Sequence, residues 1–279
     1  MATITDGERI NEFVDRAYKM AINGYPGAVH LSLPVDIMFS SFAEDSGREE
    51  RPFDRTAHLP AKAWPEPARL SMVLDKLAAA KRPVLIGGHG VWWSGAESYL
   101  EEAGRKLGIP VFNIPYHQKL LGEECEAYMG LADIHQYHPS KDAFAEADLV
   151  LMVGARLDNQ MNFGNPPLFP QSVDLVCING SHAEIDFNRA ADFALLSDPG
   201  AFLQAVIAFG ESADFTLPRD WFDLNRQRRA EWVAKMIADV DAEAGQPEFG
   251  GRIHPLHLAL DVQTAMGDGD WLRRESKPP

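Results

Sequence analysis

Short apolar runs alternate with stretches of helical periodicity through the middle of the sequence. The runs lie at Pro83–Gly87, 110–114, Leu149–Val153, 173–178 and Phe193–Leu196, and the helical patterns lie around Leu70–Leu77, Tyr99–Leu107, 141–147, 182–188 and 201–209. Short runs of this kind are typical of strands that are buried on both faces. Because strands that alternate with helices favour a parallel sheet, the sequence predicts a Rossmann-like α/β domain with helices on both faces over residues 68–217.

The first residues of the chain carry a single helix and a single strand. Apolar side chains recur on one helical stripe from Ile10 to Ala21, after a possible capping box from Thr5 to Glu8, and the pattern predicts a strand over 28–33. One helix and one strand cannot bury a core. We therefore expect residues 1–45 to be the C-terminal end of a further domain, and residues 46–67, which are rich in charge and proline, to be a linker.

The last part of the chain is predicted to be mainly helical. Helical periodicity covers 220–242 and 254–266, and the remaining residues are mostly polar or charged. We expect residues 218–279 to comprise a linker helix followed by the truncated start of a third domain.

A glycine-rich loop follows the first apolar run of the middle domain. Gly87, Gly88 and Gly90 stand between this predicted strand and an amphipathic helix. Glycines at such a position let a ligand phosphate or ribose approach backbone N–H groups beside a helix N-terminus. The full G-x-G-x-x-G pattern is absent, so two interpretations stay open: a nucleotide-binding loop, and a turn in which glycine serves only the backbone geometry.

Composition narrows the possible partners. The formal net charge is −15, with 46% hydrophobic and 24% charged residues, which argues against a nucleic-acid surface or an anionic membrane surface. Two cysteines are too few for a disulfide framework. The N-terminal residues lack the features of a signal peptide, and no apolar run is long enough to span a membrane. These features predict a cytoplasmic protein.

Five segments together resemble one family of enzymes. The segment 7–37 is similar to the end of the pyrimidine-binding domain of thiamine-diphosphate-dependent enzymes, although Tyr25 and Ala28 replace an Arg and a Pro that are usual there. The segments 82–90, 147–158 and 195–203 resemble strands of that family's central domain, and 252–272 resembles the start of its diphosphate-binding domain. This family includes acetolactate synthases, oxalyl-CoA decarboxylases, 2-hydroxyacyl-CoA lyases and benzaldehyde lyases, and the chain most resembles its acetolactate synthase and acyl-CoA lyase branch.

The resemblance implies thiamine diphosphate and Mg²⁺ as cofactors, and carboligation or decarboxylation of a 2-oxo acid or an acyl-CoA compound by a lyase or transferase. It also implies that full-length relatives are homodimers or homotetramers. The family's catalytic glutamate would precede Met1, and we interpret residues 267–269, Gly-Asp-Gly, as a turn that ends a helix rather than as the metal motif. We therefore expect no catalytic residue and no metal ligand in this chain, and no activity of the chain alone. The alternative is a stand-alone nucleotide-binding or regulatory module that works with a partner chain.

The resemblance also implies candidate residues for a nucleotide in the central domain, where relatives hold FAD, ADP, the nucleotide part of CoA, or nothing. Gly154, Arg156 and Asp158 match a G-x-R-x-D segment that meets FAD, although Gln160 stands where a second Arg is usual. Asn179 stands where an aspartate is usual, and Asp198 follows the last strand. Two other roles stay open, an interdomain ion pair for Arg156 and a helix cap for Asp198.

Two further groups of residues are weaker candidates. Cys125 with His117, His135 and His138 has no standard zinc spacing. Trp92 and Trp93 are of a kind that stacks on a flavin or an adenine, but we favour a place in the core or a subunit interface.

Overall fold

A computed structural model describes residues 2–24, 26–41, 62–115, 120–133, 138–244, 253 and 255–266. Its contacts divide the chain into two compact units, Met1–Arg226 and Gln227–Pro279. The domain limits expected above, at residues 45, 67 and 217, stay predictions.

The N-terminal segment of the first unit forms a small parallel sheet beside one helix. It comprises β1 (Ala2–Thr3), a 3-10 turn (Gly7–Arg9), α1 (Ile10–Ile22), β2 (Leu31–Ser32) and a single turn of helix, α2 (Val35–Met38). β1 pairs with β2, so the predicted strand over 28–33 is shorter than expected. The cap is also different, because the side chain of Asp6, and not that of Thr5, accepts from the backbone N–H of Glu8.

The middle of the chain forms a six-stranded parallel sheet. Its elements are α3 (Pro67–Ala79), β3 (Pro83–Gly87), α4 (His89–Trp93), α5 (Glu97–Leu107), β4 (Val111–Asn113), β5 (Tyr128–Leu131), α6 (His138–Glu146), β6 (Leu149–Val153), β7 (Asp174–Asn179), β8 (Phe193–Leu196) and α7 (Pro199–Ser212). The strand order is β5-β4-β3-β6-β7-β8, and every neighbouring pair is parallel. This is the order of a doubly wound Rossmann-type sheet, so the predicted fold class is confirmed.

The core of this domain lies between the sheet and the helices. All residues of β3 and β6 are buried. Phe144 links neighbouring layers, since its ring lies 5.0 Å from that of Phe112 and 5.1 Å from that of Phe169. At the β8 edge, Arg69 of α3 donates to the carbonyl oxygen of Ala194 at 2.8 Å, which occupies a backbone acceptor that an edge strand otherwise exposes.

The connection from β7 to β8 differs from the prediction. We expected a helix over 182–188, but only a 3-10 helix forms, at His182–Glu184. Asp186 and Asn188 then have φ values of 58° and 70°. A right-handed helix excludes such values, so the prediction is wrong and an irregular segment covers this part of the sheet.

The last two helices of the described residues follow the six-stranded sheet in the sequence. α8 spans Arg219–Ala244 and α9 spans Pro255–Met266. In the first unit, Trp221 donates from Nε1 to the carbonyl oxygen of Pro83 at 2.9 Å, and Phe222 is fully buried. In the second unit, His257 Nε2 lies 3.4 Å from Asp241 Oδ1. No helix within the described ranges is both long and apolar enough to cross a bilayer.

Candidate functional site

The strand order places a topological switch point between β3 and β6. In open parallel sheets, ligands bind outside the carboxyl ends of the strands at this point. The eight predicted site residues all lie at or shortly after strand ends on this edge: Gly87, Gly88 and Gly90 at β3, Gly154, Arg156 and Asp158 after β6, Asn179 at the end of β7, and Asp198 after β8. The fold therefore brings the predicted residues to one edge of the sheet.

The glycine loop after β3 packs directly against the loop after β6. The N–H of Gly88 donates to Val153 O at 2.9 Å, and the N–H of Gly90 donates to Gly154 O at 3.0 Å. A Cβ at Gly88 would lie 2.3 Å from Gly154 O, and a Cβ at Gly90 would lie 2.7 Å from Gly154 Cα. The glycines thus allow two backbones to touch, and their N–H groups are occupied within the protein. This geometry supports the interpretation of the loop as a turn.

Gly87 and Gly154 are enclosed in the same way. A Cβ at Gly87 would lie 2.7 Å from the side chain of Leu100 and 3.1 Å from that of Leu120. Gly154 has φ +61°, and its N–H donates to Ile178 O at 2.8 Å. A phosphate therefore finds neither free space nor free backbone donors at these two glycines.

Arg156 lies on the surface next to the β7–β8 connection. Its Nη1 is 3.5 Å from Glu184 Oε2, and its guanidinium lies 5.1 Å from the ring centroid of Phe187. The Arg156 side chain is 47% exposed, whereas that of Glu184 is 13% exposed. The long distance and the half-exposed arginine make this ion pair weak, so Arg156 retains the ability to bind an anionic ligand.

Asp158 caps the 3-10 helix that follows it. Its Oδ1 accepts from the N–H of Gln160 at 3.1 Å. Oriented with its amide nitrogen toward the carboxylate, the Gln160 side chain also donates to Asp158 Oδ2 at 2.8 Å. Burial raises the pKa of Asp158, and its hydrogen bond from Gln160 and the charge of Arg156 offset only part of that effect. The geometry gives Asp158 a capping role.

Asn179 is the last residue of β7, and only one of the two polar groups of its side chain forms a hydrogen bond. The residue is 2% exposed, and its Oδ1 accepts from the N–H of Ser181 at 3.3 Å. Its Nδ2 is buried and finds no hydrogen-bond partner among the described residues. The neighbouring Gly180 is more open than the other glycines of this edge, since a Cβ there would meet nothing closer than Gly24 O at 3.6 Å. A buried amide N–H without an acceptor is costly, which marks this position as a candidate ligand contact.

Asp198 has the capping role that was left open. Its Oδ1 accepts from the N–H of Ala201 at 3.0 Å at the start of α7, and its Oδ2 accepts from Ser94 Oγ at 2.6 Å. Lys62 Nζ lies 3.9 Å from Oδ1. Both carboxylate oxygens are therefore engaged within the chain.

The β7–β8 connection supplies residues that the sequence analysis missed. Glu184, Phe187 and Arg189 line a small cavity of about 10 Å³ together with Arg156 and Cys177. Arg189 donates to the carbonyl oxygens of Gly164, Phe169 and Pro170 at 2.8, 3.3 and 3.4 Å. No local periodicity indicates these roles, because they depend on contacts between two irregular segments.

The cysteines of the domain are unsuited to nucleophilic chemistry. Burial raises the pKa of Cys177 to about 11, and burial also raises the pKa of Cys125. Both thiols are therefore protonated at neutral pH.

His117, His135 and residues 267–269 lie outside the described residues, and within the described part no group of His, Cys, Asp and Glu side chains is suited to a metal ion. The rings of Trp92 and Trp93 lie 4.6 Å apart, and Trp93 is 45% exposed.

Comparison with known proteins agrees with the fold and the order of its elements. Residues 70–206 match the sequence model of the family described as thiamine pyrophosphate enzyme, central domain. This segment is a thiamine pyrophosphate enzyme central domain. The resemblance seen in the sequence is therefore confirmed.

Relatives of this central domain include longer enzymes. The chain is 28% identical over 216 residues to the acetolactate synthase large subunit of Lactococcus lactis, covering 76% of the chain and 36% of that protein. It is 26% identical over 226 residues to the oxalyl-CoA decarboxylase of Escherichia coli K12, covering 79% of the chain and 37% of that protein. The chain thus spans little more than a third of the length of these relatives.

A solved structure with the same fold is the thiamine diphosphate-dependent 4-hydroxybenzoylformate decarboxylase of Rhodococcus jostii RHA1. The TM-score is 0.60 at 19% identity, and the match covers 74% of this chain and 38% of that chain. At this level of identity the likeness shows the fold of the central domain.

Proposed function

We propose that this chain is part of a thiamine-diphosphate- and Mg²⁺-dependent enzyme that makes or breaks a carbon–carbon bond next to a carbonyl group. The observation that carries the proposal is the match of residues 70–206 to the central-domain family, on a sheet of the matching α/β type. The names of its relatives favour a 2-oxo acid or an acyl-CoA compound as substrate. By analogy with that family, we also expect a cytoplasmic enzyme that assembles as a homodimer or homotetramer.

The described residues contain no fitting site for the thiamine cofactor or its metal ion. Thiamine diphosphate, when bound to an enzyme, supplies a nucleophilic carbon and an electron sink. In the described part of this chain, no cluster of His, Cys, Asp and Glu side chains is suited to Mg²⁺, and the glycine loop leaves no space or free N–H groups for a diphosphate. The proposal therefore gives the central domain a supporting role and gives the chemistry to other parts of the enzyme.

A nucleotide such as FAD, ADP or the nucleotide part of CoA fits one half of the sheet edge better than the other. At β3, side chains and backbone fill the space next to Gly87, Gly88 and Gly90. At β7, Asn179 has a buried amide N–H without a partner among the described residues, and Arg156 lies half exposed after the neighbouring strand β6. Arg156 and Asn179 are the residues that would hold a nucleotide, with Asp158 and Asp198 shaping the adjacent turns.

The chain alone is expected to be inactive. We would incubate the purified chain with thiamine diphosphate, Mg²⁺ and either pyruvate or oxalyl-CoA, and measure released CO₂ against blanks without protein. The expected rate equals the blank, because no described residue supplies the cofactor site. Turnover above the blank that requires both cofactors would overturn the expectation of inactivity.

A domain exchange tests the supporting role. The central domain of the Lactococcus lactis relative would be replaced by the central domain of this chain, and acetolactate formation and oligomer size would be measured. The same relative with its own domain re-inserted is the positive control, and a chimera carrying Gly154→Ala is the control for a distorted domain. We expect the chimera to assemble and to turn over pyruvate with both cofactors. A soluble chimera that neither assembles nor turns over would contradict the proposal.

A further inference from the structure

We propose that Asn23 is a site of spontaneous deamidation, and that its conversion to aspartate and isoaspartate weakens the C-terminal end of α1. An asparagine followed by a glycine occurs twice in the sequence, at residues 23–24 and 179–180. The two dipeptides lie close together, since a Cβ at Gly180 would be 3.6 Å from Gly24 O. They differ in exposure and in the hydrogen bonds that hold them.

The reaction needs only the chain and water. The backbone nitrogen of Gly24 loses its proton to solvent and attacks Cγ of Asn23, so that a new C–N bond closes a succinimide ring. The side-chain nitrogen takes up a proton and leaves as ammonia. Water then opens the ring at either carbonyl carbon, which yields aspartate or isoaspartate and adds a negative charge. A following glycine favours ring closure because it has no Cβ to shield the attacking nitrogen.

Asn23 lies at the C-terminal end of α1, where little hinders this reaction. Both Asn23 and Gly24 are exposed. Asn23 has φ −98° and ψ 150°, so its backbone has already left the helix. Gly24 has φ +70°, and no described atom lies within 4 Å of an added Cβ. Exposed residues at the end of a helix change conformation at little cost in free energy, so the Gly24 nitrogen can reach Cγ of Asn23.

Asn179 has the same following residue but is held in the sheet. It is 2% exposed, and its backbone oxygen accepts from the N–H of Ser197 at 2.9 Å. Its side-chain Oδ1 accepts from the N–H of Ser181 at 3.3 Å. Ring closure would require rotation of both the backbone and the side chain, and hence local separation of the strands. Opening of a buried strand costs much more free energy than fraying of a helix end, so the fold protects Asn179.

The product at position 23 disfavours the helix. In the unmodified chain, Nδ2 of Asn23 donates to Lys19 O at 2.8 Å at the end of α1. A carboxylate has no N–H to donate, and it is repelled by the carbonyl oxygens and by the negative end of the helix dipole. The ammonium group of Lys19 is already paired with Asp15 at 2.8 Å. Deamidation therefore replaces a favourable donor by an unfavourable charge.

The first measurement follows both dipeptides in one sample of the full chain. The purified chain would be incubated at mildly alkaline pH and digested at low pH, where deamidation is slow. Mass spectrometry would quantify the peptides that contain positions 23 and 179, and an isoaspartyl methyltransferase would label isoaspartate. We expect Asn23 to react roughly a hundredfold faster than Asn179 in the folded chain. In urea that unfolds the chain, the two rates should be similar, because glycine follows both residues.

Two glycine variants test the role of the following residue. Gly24→Ala should leave Asn23 largely unmodified over the time in which the parent chain is converted, because the new Cβ shields the nitrogen. Gly95→Ala is the matched control, since Gly95 also has positive φ, +62°, and no described atom within 4 Å of an added Cβ. It should leave the rate at Asn23 unchanged.

The effect on the helix is tested with Asn23→Asp, which mimics one product. Amide hydrogen exchange in the last turn of α1 should be about fivefold faster than in the parent chain, because a donor is lost and a repelled charge is gained. Asn11→Asp is the matched control, since Asn11 is exposed and lies in the first turn of the same helix, where a negative charge is favourable. It should leave exchange in the last turn unchanged.

Four results would overturn the inference: an Asn23 that stays intact in the folded chain, equal rates at Asn23 and Asn179 in the folded chain, conversion of the Gly24→Ala variant as fast as that of the parent, or unchanged exchange at the end of α1 in Asn23→Asp. These measurements need neither cofactor nor turnover, so their outcome is independent of the proposed function.

Discussion

Asp158 combines a favourable position in the backbone with an unfavourable environment for its charge. It caps a 3-10 helix through the N–H of Gln160, yet burial raises its pKa. A carboxyl group whose pKa is higher in the folded state than in the unfolded state binds protons more tightly when folded. Its contribution to stability is therefore full at pH values below the unfolded pKa and is lost as the pH rises through the folded pKa.

The helix cap and the raised pKa of Asp158 together predict the effect of Asp158→Asn. Asn caps helices as well as Asp but carries no charge, so the variant should be at least as stable as the parent at pH 7. Its advantage should shrink as the pH falls and Asp158 becomes protonated. Urea unfolding at pH 7 and at pH 4 measures both effects. Asp158→Ala is the control, and it should be less stable by about 1 kcal/mol because the cap is lost. If the Asp158→Asn variant gained stability relative to the parent on going from pH 7 to pH 4, this account would be contradicted.

Gly154 shows how tightly the two loops at the switch point are joined. A Cβ there would lie 2.6 Å from Gly90 Cα, and the residue has φ +61°. Gly154→Ala should lower the free energy of unfolding by about 3 kcal/mol, from backbone strain and from overpacking together. Gly95→Ala is the matched control, because Gly95 has φ +62° with nothing within 4 Å of an added Cβ, and it should lose only about 1 kcal/mol. Equal losses in the two variants would show that the loops separate easily.

At the scale of elements, Arg189 holds two irregular segments together. It donates to three carbonyl oxygens in the segment 164–170 from its place in the β7–β8 connection. Arg189→Ala should destabilise the domain by about 2 kcal/mol, since the carbonyl groups lose their donors. Amide hydrogen exchange should accelerate within residues 159–170 and stay unchanged in β3. Arg69→Ala, which removes one hydrogen bond to a carbonyl oxygen, that of Ala194, together with the exposed contacts to Glu66 and Phe193, is the control. Protection lost evenly over the sheet would refute a local role for Arg189.

Most elements of the sheet were predictable because burial on both faces leaves a continuous apolar run. β5 was missed because Gly130, which has φ 109°, interrupts its apolar residues. The helix expected over 182–188 failed because its apolar spacing reflects an irregular segment that packs on β7, with Asp186 and Asn188 in left-handed conformations. Local pattern cannot distinguish these cases, because tertiary contacts decide them.

The position of the candidate site was predictable from the sequence, but the hydrogen bonds and ion pairs of its residues were not. The sequence indicates which residues follow strand ends, and the parallel sheet places them at one edge. Whether Gly88 and Gly90 keep free N–H groups depends on the carbonyl oxygens of Val153 and Gly154, which lie more than sixty residues away in the chain. The pairing of Arg156 with Glu184 likewise depends on a loop whose path the sequence does not reveal.

At the scale of the whole molecule, the start of α8 belongs to the core of the central domain. Trp221 is 7% exposed and donates to Pro83 O, and Phe222 is fully buried. A fragment of residues 67–226 should therefore be more stable than one of 67–217 by several kcal/mol, as expected for the loss of buried aromatic side chains. Thermal unfolding of both fragments tests this. Equal melting temperatures would support the limit at residue 217.

The same fragments test the effect of the flanking segments on solubility. Val14 and Met20 of α1 are 51% and 60% exposed, and Leu258 and Val262 of α9 are 52% and 46% exposed. Exposed apolar side chains in groups promote association. The fragment 67–226 should therefore remain soluble at higher concentration than the full chain, as measured by light scattering. Lower solubility of the fragment would show that the flanking segments protect the central domain.

The strand order also determines how the sheet is assembled during synthesis. β3 is made first and becomes a central strand, with β4 and β5 added on one side before β6 joins the other. As the nascent chain emerges, one edge of β3 therefore stays without a partner until residue 153 has left the ribosome. Apolar, unpaired strands are the usual targets of chaperones and the usual origin of aggregates. A translational pause before β6 would lengthen this vulnerable interval, whereas a pause after β8 would leave a finished sheet.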